Sequence, residues 1–361
     1  MRIGVDILSA ALGGPGQYFK RLLPHLARRA GNDELHVAAA HPKLINAMPR
    51  PENVTIHEIP AGRRPASRLL WQRFRMPAWA ERLGIDVMFV PQGLTAMTSG
   101  PPFVVMHQDA MFLCRERYER SRVYTAVQQW MARRTLARAT RTLYVSRAIR
   151  DLAESRGWLR PDTSSFVPYG IDADELRSGV DPAQAGRLAA DGAYLLTVGS
   201  IMPHKNVHTL VEAVVLLHHR GRTDIRLLIV GDLEHNPEYA ARISRRIDAA
   251  KLGHAVRLVG RVERSGLGAY YESARLYVSL SVLESLGLTL LEAMALDLPV
   301  LCNRLPAFEE SCGDAAQFVD GTDAEAAADA VAALWDDDAR RQELIQLGRR
   351  RYRDFEWSHV A

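Results

Sequence analysis

The chain has only three cysteines in 361 residues, Cys114, Cys302 and Cys312. An odd number, at spacings unlike any metal-ligand pattern, argues against a disulfide framework or a zinc site and fits a reducing cytoplasm. Long apolar runs are missing as well. None reaches the ~18–20 residues that a membrane-spanning helix requires, and Met1-Arg2 leads directly into the strand-like Ile3-Gly4-Val5-Asp6-Ile7-Leu8 rather than into a secretory leader. Aromatic residues are 7% of the chain and few interleave with the arginine clusters. Without a recognised binding motif, that pattern argues against nucleic acid as a partner. Lysine is scarce: four of the 46 basic residues, Lys20, Lys43, Lys205 and Lys251.

What is present is an ordinary globular composition, 47% apolar and 24% charged, long enough for two domains with separate cores. The net charge of +4 hides an asymmetry. Met1–Gly170 carries 25 basic and 13 acidic residues, net +12, whereas the remainder carries 21 and 29, net −8. Clusters such as Arg63, Arg64, Arg68, Arg73, Arg75 and Arg115, Arg117, Arg120, Arg122 suit an anionic membrane surface or a lipid pyrophosphate, and equally suit a solvated surface.

Short apolar runs alternate with helical patterns throughout, which argues for an α/β protein with parallel sheets covered on both faces. Strands are expected at Arg2–Leu8, Leu35–Ala40, Val54–Glu58, Asp86–Val90, Phe103–His107, Thr142–Val145 and Ser165–Val167. A second series follows at Tyr194–Val198, Arg226–Val230, Val256–Val259, Leu276–Ser279 and Val300–Cys302. Two Rossmann-like domains result, residues 1–177 and 193–337. Residues 178–192, with Gly179, Pro182, Gly186 and Gly192, read as the linker, and residues 338–361 as a charged helix packing across the domains.

The most informative stretch is Val282-Leu283-Glu284-Ser285-Leu286-Gly287-Leu288-Thr289-Leu290-Leu291-Glu292. One carboxylate enters a Gly-containing turn and the second falls in the first turn of an apolar helix. Helix-start amides at Gly287, Leu288 and Thr289 suit a phosphate, while carboxylates accept the hydroxyl protons of a sugar or ribose. Thr289-Leu290-Leu291-Glu292 is also a capping box, in which Glu292 merely reaches back to Thr289, and Glu284 also reads as a solvated loop acid. The second series opens with Gly199-Ser200-Ile201-Met202-Pro203-His204-Lys205-Asn206, a strand end, a loop lysine and an Asn where a helix N-cap belongs. That puts Lys205 at the carboxyl edge of the sheet, where ligands of open α/β sheets bind. In a chain that otherwise uses arginine, it offers a compact point charge; alone it would read as a solvated lysine. The first strand also ends in a Gly-rich turn, Gly13-Gly14-Pro15-Gly16, but neither the dinucleotide glycine pattern nor a ribose-binding acid after the second strand is present. A nicotinamide dehydrogenase is disfavoured.

These motifs, with Leu228-Ile229-Val230-Gly231-Asp232, Val256-Arg257-Leu258-Val259-Gly260-Arg261-Val262 and Val167-Pro168-Tyr169-Gly170, resemble those of the retaining glycosyltransferases of family 4, most closely of a mannosyltransferase-like subgroup. The resemblance covers nearly the whole chain and includes the family's paired glutamates at Glu284 and Glu292. It implies the GT-B fold, two Rossmann-like domains facing each other across a cleft, with an acceptor on the first and a nucleotide sugar on the second. It also implies no cofactor and no metal. On this resemblance Lys205, helped by the Gly287–Thr289 amides and by Gly14 and Gly16, neutralises the leaving diphosphate. Glu292 binds the ribose, Glu284 lies near the donor sugar and Lys205, and Arg261 and Val262 border the base. His107 is similar to the family's cleft histidine, although a strand-end histidine is commonly structural. Asp109 is expected on the acceptor side, with Gln108 a departure between the two.

Ser200 is a larger departure, because many members carry arginine there; His204 or an arginine from elsewhere would have to complete the clamp. The family is commonly interpreted as front-side transfer, so neither glutamate is expected to be a nucleophile. The expected activity is transfer of a hexose from GDP-mannose, or UDP-glucose, to a lipid-linked or polysaccharide-precursor acceptor by a cytoplasmic protein peripheral to the inner face of a membrane. A transferase for a soluble small-molecule acceptor and a non-catalytic nucleotide-sugar-binding protein are the alternatives.

Overall fold

The structure, a computed structural model, describes residues 1–10, 14–91, 93, 95–108 and 122–360. Its short apolar runs form two wholly parallel sheets. Parallel strands covered by helices on both faces are buried on both sides, which is why they read as continuous apolar segments rather than as an alternation. In the first unit β1 (Arg2–Asp6), β2 (Glu34–Ala39), β3 (Val54–Glu58), β4 (Val87–Val90), β5 (Phe103–His107), β6 (Arg141–Tyr144) and β7 (Ser164–Phe166) take the order β3-β2-β1-β4-β5-β6-β7. In the second, β8 (Tyr194–Val198), β9 (Arg226–Val230), β10 (Val256–Gly260), β11 (Leu276–Ser279), β12 (Val300–Asn303) and β13 (Ala316–Val319) take the order β10-β9-β8-β11-β12-β13. Both sheets are doubly wound, as the GT-B expectation requires. Every strand expected from the sequence is present within a residue or two; β13, too short and mixed to be read as a strand, is the addition.

In the second unit Leu195, Leu227, Ile229, Val278 and Leu301 from the strands pack with Val211, Val214 and Val331 from helices into one core. In the first, Val90, Val105 and Met88 pack with Trp79 and Leu136. Among the described residues the first unit runs to Gly170 and resumes at Trp357, and the second comprises Ile171–Glu356. Residues 178–192 contain the helix Pro182–Ala190, and the helix Asp338–Arg351 precedes the return crossing. The two crossings are each pinned within a unit. Ile171 N–H donates to the Phe355 carbonyl at 2.7 Å. The Trp357 ring lies so close to Gly170 that a Cβ there would fall 2.1 Å from it, and it is 5.5 Å from the Tyr18 ring. No described helix is long and apolar enough to cross a membrane.

Two buried titratable groups at strand ends of the first unit respond to burial with opposite sign. Asp6 accepts hydrogen bonds from Leu8 N–H at 3.1 Å and Gln72 Nε2 at 2.6 Å, yet burial pushes its carboxyl up to about 6. His107 is fully buried, edge-on to Tyr144, and burial lowers its pKa to about 4. The native state therefore holds the Asp6 proton more tightly than the unfolded chain does, a contribution lost as pH rises through about 6. It holds a proton on His107 less tightly, a contribution present above the ordinary histidine value and lost as pH falls toward about 4. The two trends oppose each other over the same range. Removing the first by Asp6→Asn should expose the second: the variant should lose about 3 kcal/mol of stability between pH 6.5 and 4, measured by urea unfolding, while wild type changes less. An Asp6→Asn profile as flat as that of wild type would contradict this assignment.

Candidate functional site

In the second sheet β8 pairs with β9 on one side and β11 on the other, so the order of strands reverses between β8 and β11. Loops leaving the carboxyl ends of two such strands diverge to opposite faces and leave a crevice. Lys205 lies on the loop after β8, in the single turn Pro203–Lys205, and Glu284 on the loop after β11. Their side chains meet there, Nζ to Oε1 at 2.5 Å, with 22% and 17% of the side chains exposed. At that burial an isolated ammonium or carboxylate would carry a large desolvation cost, which mutual pairing offsets. Thr197, Gly199, Ser200, Ser279 and Ser281 line the same small cavity. Among the described residues lining it, Lys205 is the only cation.

The loops are braced by amides. Asn206 has φ of 53°, a left-handed conformation that asparagine tolerates better than most residues. Its side chain does not cap the following helix, as its position in sequence suggested. Instead Nδ2 donates to the carbonyls of Leu280 at 3.0 Å and Gly321 at 2.6 Å, while Oδ1 accepts from Thr209. Asn303 adds a second brace, donating to Ser281 O at 2.8 Å and accepting from Gly321 N–H at 2.9 Å. Val282 N–H closes the set on the His204 carbonyl at 2.8 Å. Both asparagines are buried, so losing either amide would strand several backbone groups.

Glu292 stands elsewhere on the same edge. The helix Leu288–Ala295 begins after Gly287, whose φ of 93° and proximity to Phe308, 2.8 Å from where a Cβ would lie, admit only glycine without strain. Glu292 thus falls in the second turn, not the first. Nor does its side chain act as a capping box: Oε1 meets Arg264 Nη1 at 2.5 Å and Oε2 accepts from the Tyr271 hydroxyl at 3.0 Å. Arg264 also reaches Glu175 at 3.2 Å. Burial opposes the charge on Arg264, but Glu292 and Glu175 outweigh it and hold its ionisation above the ordinary value. Burial, reinforced by Glu292, likewise keeps the Tyr271 phenol protonated well above its usual range. Each carboxylate oxygen retains a lone pair, so Glu292 can still accept a hydroxyl while its orientation is held. The Leu288 and Thr289 amides open the helix, where backbone N–H groups lack intrahelical partners.

The remaining candidates are dispersed. Arg261 is exposed and pairs loosely with Glu263 at 3.5 Å, just beyond the end of β10, with Val262 partly buried beside it. Gly14 and Gly16 lie inside the first turn of the helix Gly14–Ala30 rather than in a turn before it. His107 ends β5 of the first unit, and Asp109 lies outside the described residues. Sequence reasoning missed Arg264, Tyr271 and Asn303. A signal for Arg264 was available: a cation at the first position of a helix opposes the helix dipole and calls for a nearby acid.

Two family models divide this chain, Glycosyltransferase Family 4 over residues 12–175 and Glycosyl transferases group 1 over residues 183–351. The chain belongs to the family 4 glycosyltransferases. It is 32% identical over 203 residues to the D-inositol 3-phosphate glycosyltransferase of Pseudarthrobacter chlorophenolicus, covering 55% of this chain and 46% of that protein. It is 31% identical over 221 residues to the phosphatidyl-myo-inositol mannosyltransferase of Mycobacterium leprae, covering 59% and 56%. These matches span about half the length of the curated relatives. Among solved structures, sucrose-phosphate synthase from Thermosynechococcus elongatus superposes with a TM-score of 0.80 at 19% identity, covering 100% of this chain and 96% of that one. HepE from Anabaena, in complex with UDP and glucose, superposes with 0.76 at 16% identity, covering 100% and 97%. At such identities the likeness establishes the fold.

In this family 4 chain, Arg264→Ala should leave Glu292 buried with one partner removed and cost about 2 kcal/mol, a fall of about 6 °C in Tm for a unit of this size. The double substitution Arg264→Met with Glu292→Met should recover much of that loss. An unchanged melting curve for Arg264→Ala would show that the pair does not hold the edge together.

Proposed function

We propose that the chain is a retaining hexosyltransferase that moves a sugar, mannose in the first instance, from a nucleoside diphosphate sugar to a lipid-linked or polysaccharide-precursor acceptor. The observation that carries this reading is the Lys205–Glu284 pair at the point where the strand order of the second sheet reverses. A diphosphate brought to this crevice replaces Glu284 as the partner of Lys205, and developing charge on the leaving group meets a cation and the Leu288 and Thr289 amides. Preorganised charge of this kind acts more strongly in a partly dry site than in water. Glu284, released from part of its pairing, accepts a hydroxyl of the donor sugar. Glu292, steadied by Arg264 and Tyr271, accepts the ribose hydroxyls.

Neither carboxylate serves as nucleophile in this account. With the donor bound, Glu284 accepts a hydroxyl of the sugar, and Glu292 is buried with a partner on each oxygen. The departing phosphate takes the acceptor proton, and the sugar keeps its anomeric configuration because attack and departure share one face. Related proteins named as mannosyltransferases, among them O-antigen chain mannosyltransferase B of Escherichia coli, at 29% identity over 178 residues, favour mannose, and GDP-mannose is the donor proposed first. UDP-glucose is the second donor, and the basic first half supports an acceptor at the inner face of a membrane.

A thermal-shift screen against GDP, UDP, ADP and dTDP sugars should raise Tm with one base, GDP first. Lys205→Ala should then reduce turnover of that donor by about 100-fold or more while the protein stays folded. Binding with no turnover in wild type, even with a broad acceptor panel, would indicate a nucleotide-sugar-binding protein instead.

A further inference from the structure

In the first unit the helices Pro65–Phe74 and Arg122–Arg138 and the segment Thr95–Thr98 enclose a groove of about 600 Å³ that none of the described candidate residues lines. Its walls are apolar, chiefly Leu69, Leu70, Met97, Trp130 and Met131. Apart from Met1, the exposed large apolar side chains among the described residues all lie on these two helices: Leu70, Phe74, Val127 and Trp130, between 48% and 65% exposed. Apolar side chains scattered singly over a surface need no explanation, but a cluster around a groove marks a binding face.

Among the described residues the charge lining the groove has one sign: Arg73, Arg134 and Arg138 line it, and no described carboxylate does. Arg73 donates to the Thr98 hydroxyl and Arg138 to the Thr98 carbonyl, so two guanidinium groups converge on one residue at the edge. Arg134 lies over the Trp130 ring at 5.4 Å. A second hollow of about 250 Å³ shares Met97, Thr98 and Arg138 with the groove and adds the hydroxyl-bearing Ser99 and Thr140. The combined space therefore has an apolar body that leads past two converging cations into a smaller, more polar end. Each guanidinium carries five N–H donors, and those not committed to Thr98 remain able to meet a phosphate bidentately.

We infer that this groove binds a single lipid phosphate, its hydrocarbon chain along Leu69, Leu70, Trp130 and Met131 and its phosphate between Arg73, Arg134 and Arg138. Arg73 and Arg138 gathered at Thr98, with Arg134 one helical turn from Arg138, fit one anionic head; an acidic amphipathic peptide would need cations along the whole groove. The volume lies within the ~300–1,000 Å³ range of small-molecule sites. The inference goes beyond the transferase reading and does not rest on it: Phe103 and Thr140, which line the polar end, stand at the amino ends of β5 and β6, the edge of the sheet opposite the one that carries His107. The binding itself needs no donor.

The test is calorimetry of the full chain with dodecyl phosphate below its micelle concentration, beside octyl phosphate, dodecyl maltoside and inorganic phosphate. Dodecyl phosphate should bind one to one, and octyl phosphate should bind on the order of 100-fold more weakly, because each buried methylene adds to affinity. Inorganic phosphate and dodecyl maltoside should each bind at least 10-fold more weakly than dodecyl phosphate. Ala66→Phe, at an exposed groove-lining position, should block the alkyl phosphate, and Arg134→Ala should weaken it about 10-fold, with melting temperature unchanged in both. Equal binding of dodecyl maltoside, equal binding of inorganic phosphate, or binding indifferent to Ala66→Phe would each overturn the inference. So would self-association that Trp130→Glu abolishes, with no saturable lipid binding, since the occupant would then be a second copy of the chain. A protein that binds dodecyl phosphate but neither binds nor turns over nucleotide sugars keeps the groove and loses the transferase reading; the opposite pair of results does the reverse.

Discussion

The ion pair between Lys205 and Glu284 is the interaction on which the candidate site depends. It exists because two adjacent parallel strands, β8 and β11, send their following loops to opposite faces, leaving a crevice that opposite charges close at 2.5 Å. Neither charge would be comfortable there alone, with about four-fifths of each side chain removed from water. The pair in turn needs loops of fixed shape. Asn206, on the loop after β8, and Asn303, at the end of β12, supply that by satisfying backbone groups of the loops after β11 and β13. The site is therefore built on the sheet edge and held by side-chain amides, with little left to loop flexibility.

The two glutamates share a segment but occupy different environments, and that difference separates their proposed roles. Glu284 is paired with one cation whose charge an incoming diphosphate can claim, so its carboxylate is exchangeable. Glu292 is held by a partly buried guanidinium and a buried phenol that stay in their charged and neutral forms respectively, so its carboxylate is fixed. An exchangeable acid suits a sugar that must enter and leave; a fixed one suits a ribose that sets register. His107, kept neutral by burial, can exchange hydrogen bonds near neutral pH but contributes no positive charge there.

Much of this was legible in the sequence because the signals are local. Buried parallel strands announce themselves as short apolar runs, and a lysine following a strand-end glycine, in a chain that otherwise prefers arginine, marks the carboxyl edge. The glutamate spacing drew attention to both acids, and the family resemblance put Lys205 near Glu284; the two side chains meet at 2.5 Å. What the sequence hid is tertiary. Nothing in the spacing of Arg264, Tyr271 and Glu292 reveals that helix packing brings them together, and Asn206 looked like a helix cap because the carbonyls it reaches lie 74 and 115 residues away. Glu292 falls in the second turn because the left-handed backbone of Gly287 fixes the helix start at Leu288, four residues before it. The apolar groove of the first unit was equally hidden, since its walls come from two helices and a loop that share no periodic pattern.

The central claim is that Lys205 is held by Glu284 to receive a diphosphate. Calorimetry can measure how much more tightly wild type binds a nucleoside diphosphate than the corresponding nucleoside, and repeat the comparison with Lys205→Ala. The account predicts that the substitution removes most of the gain conferred by the diphosphate, about 10-fold or more for a charge-assisted contact, and leaves nucleoside binding unchanged. An undiminished diphosphate gain, or an equal loss for both ligands, would contradict it.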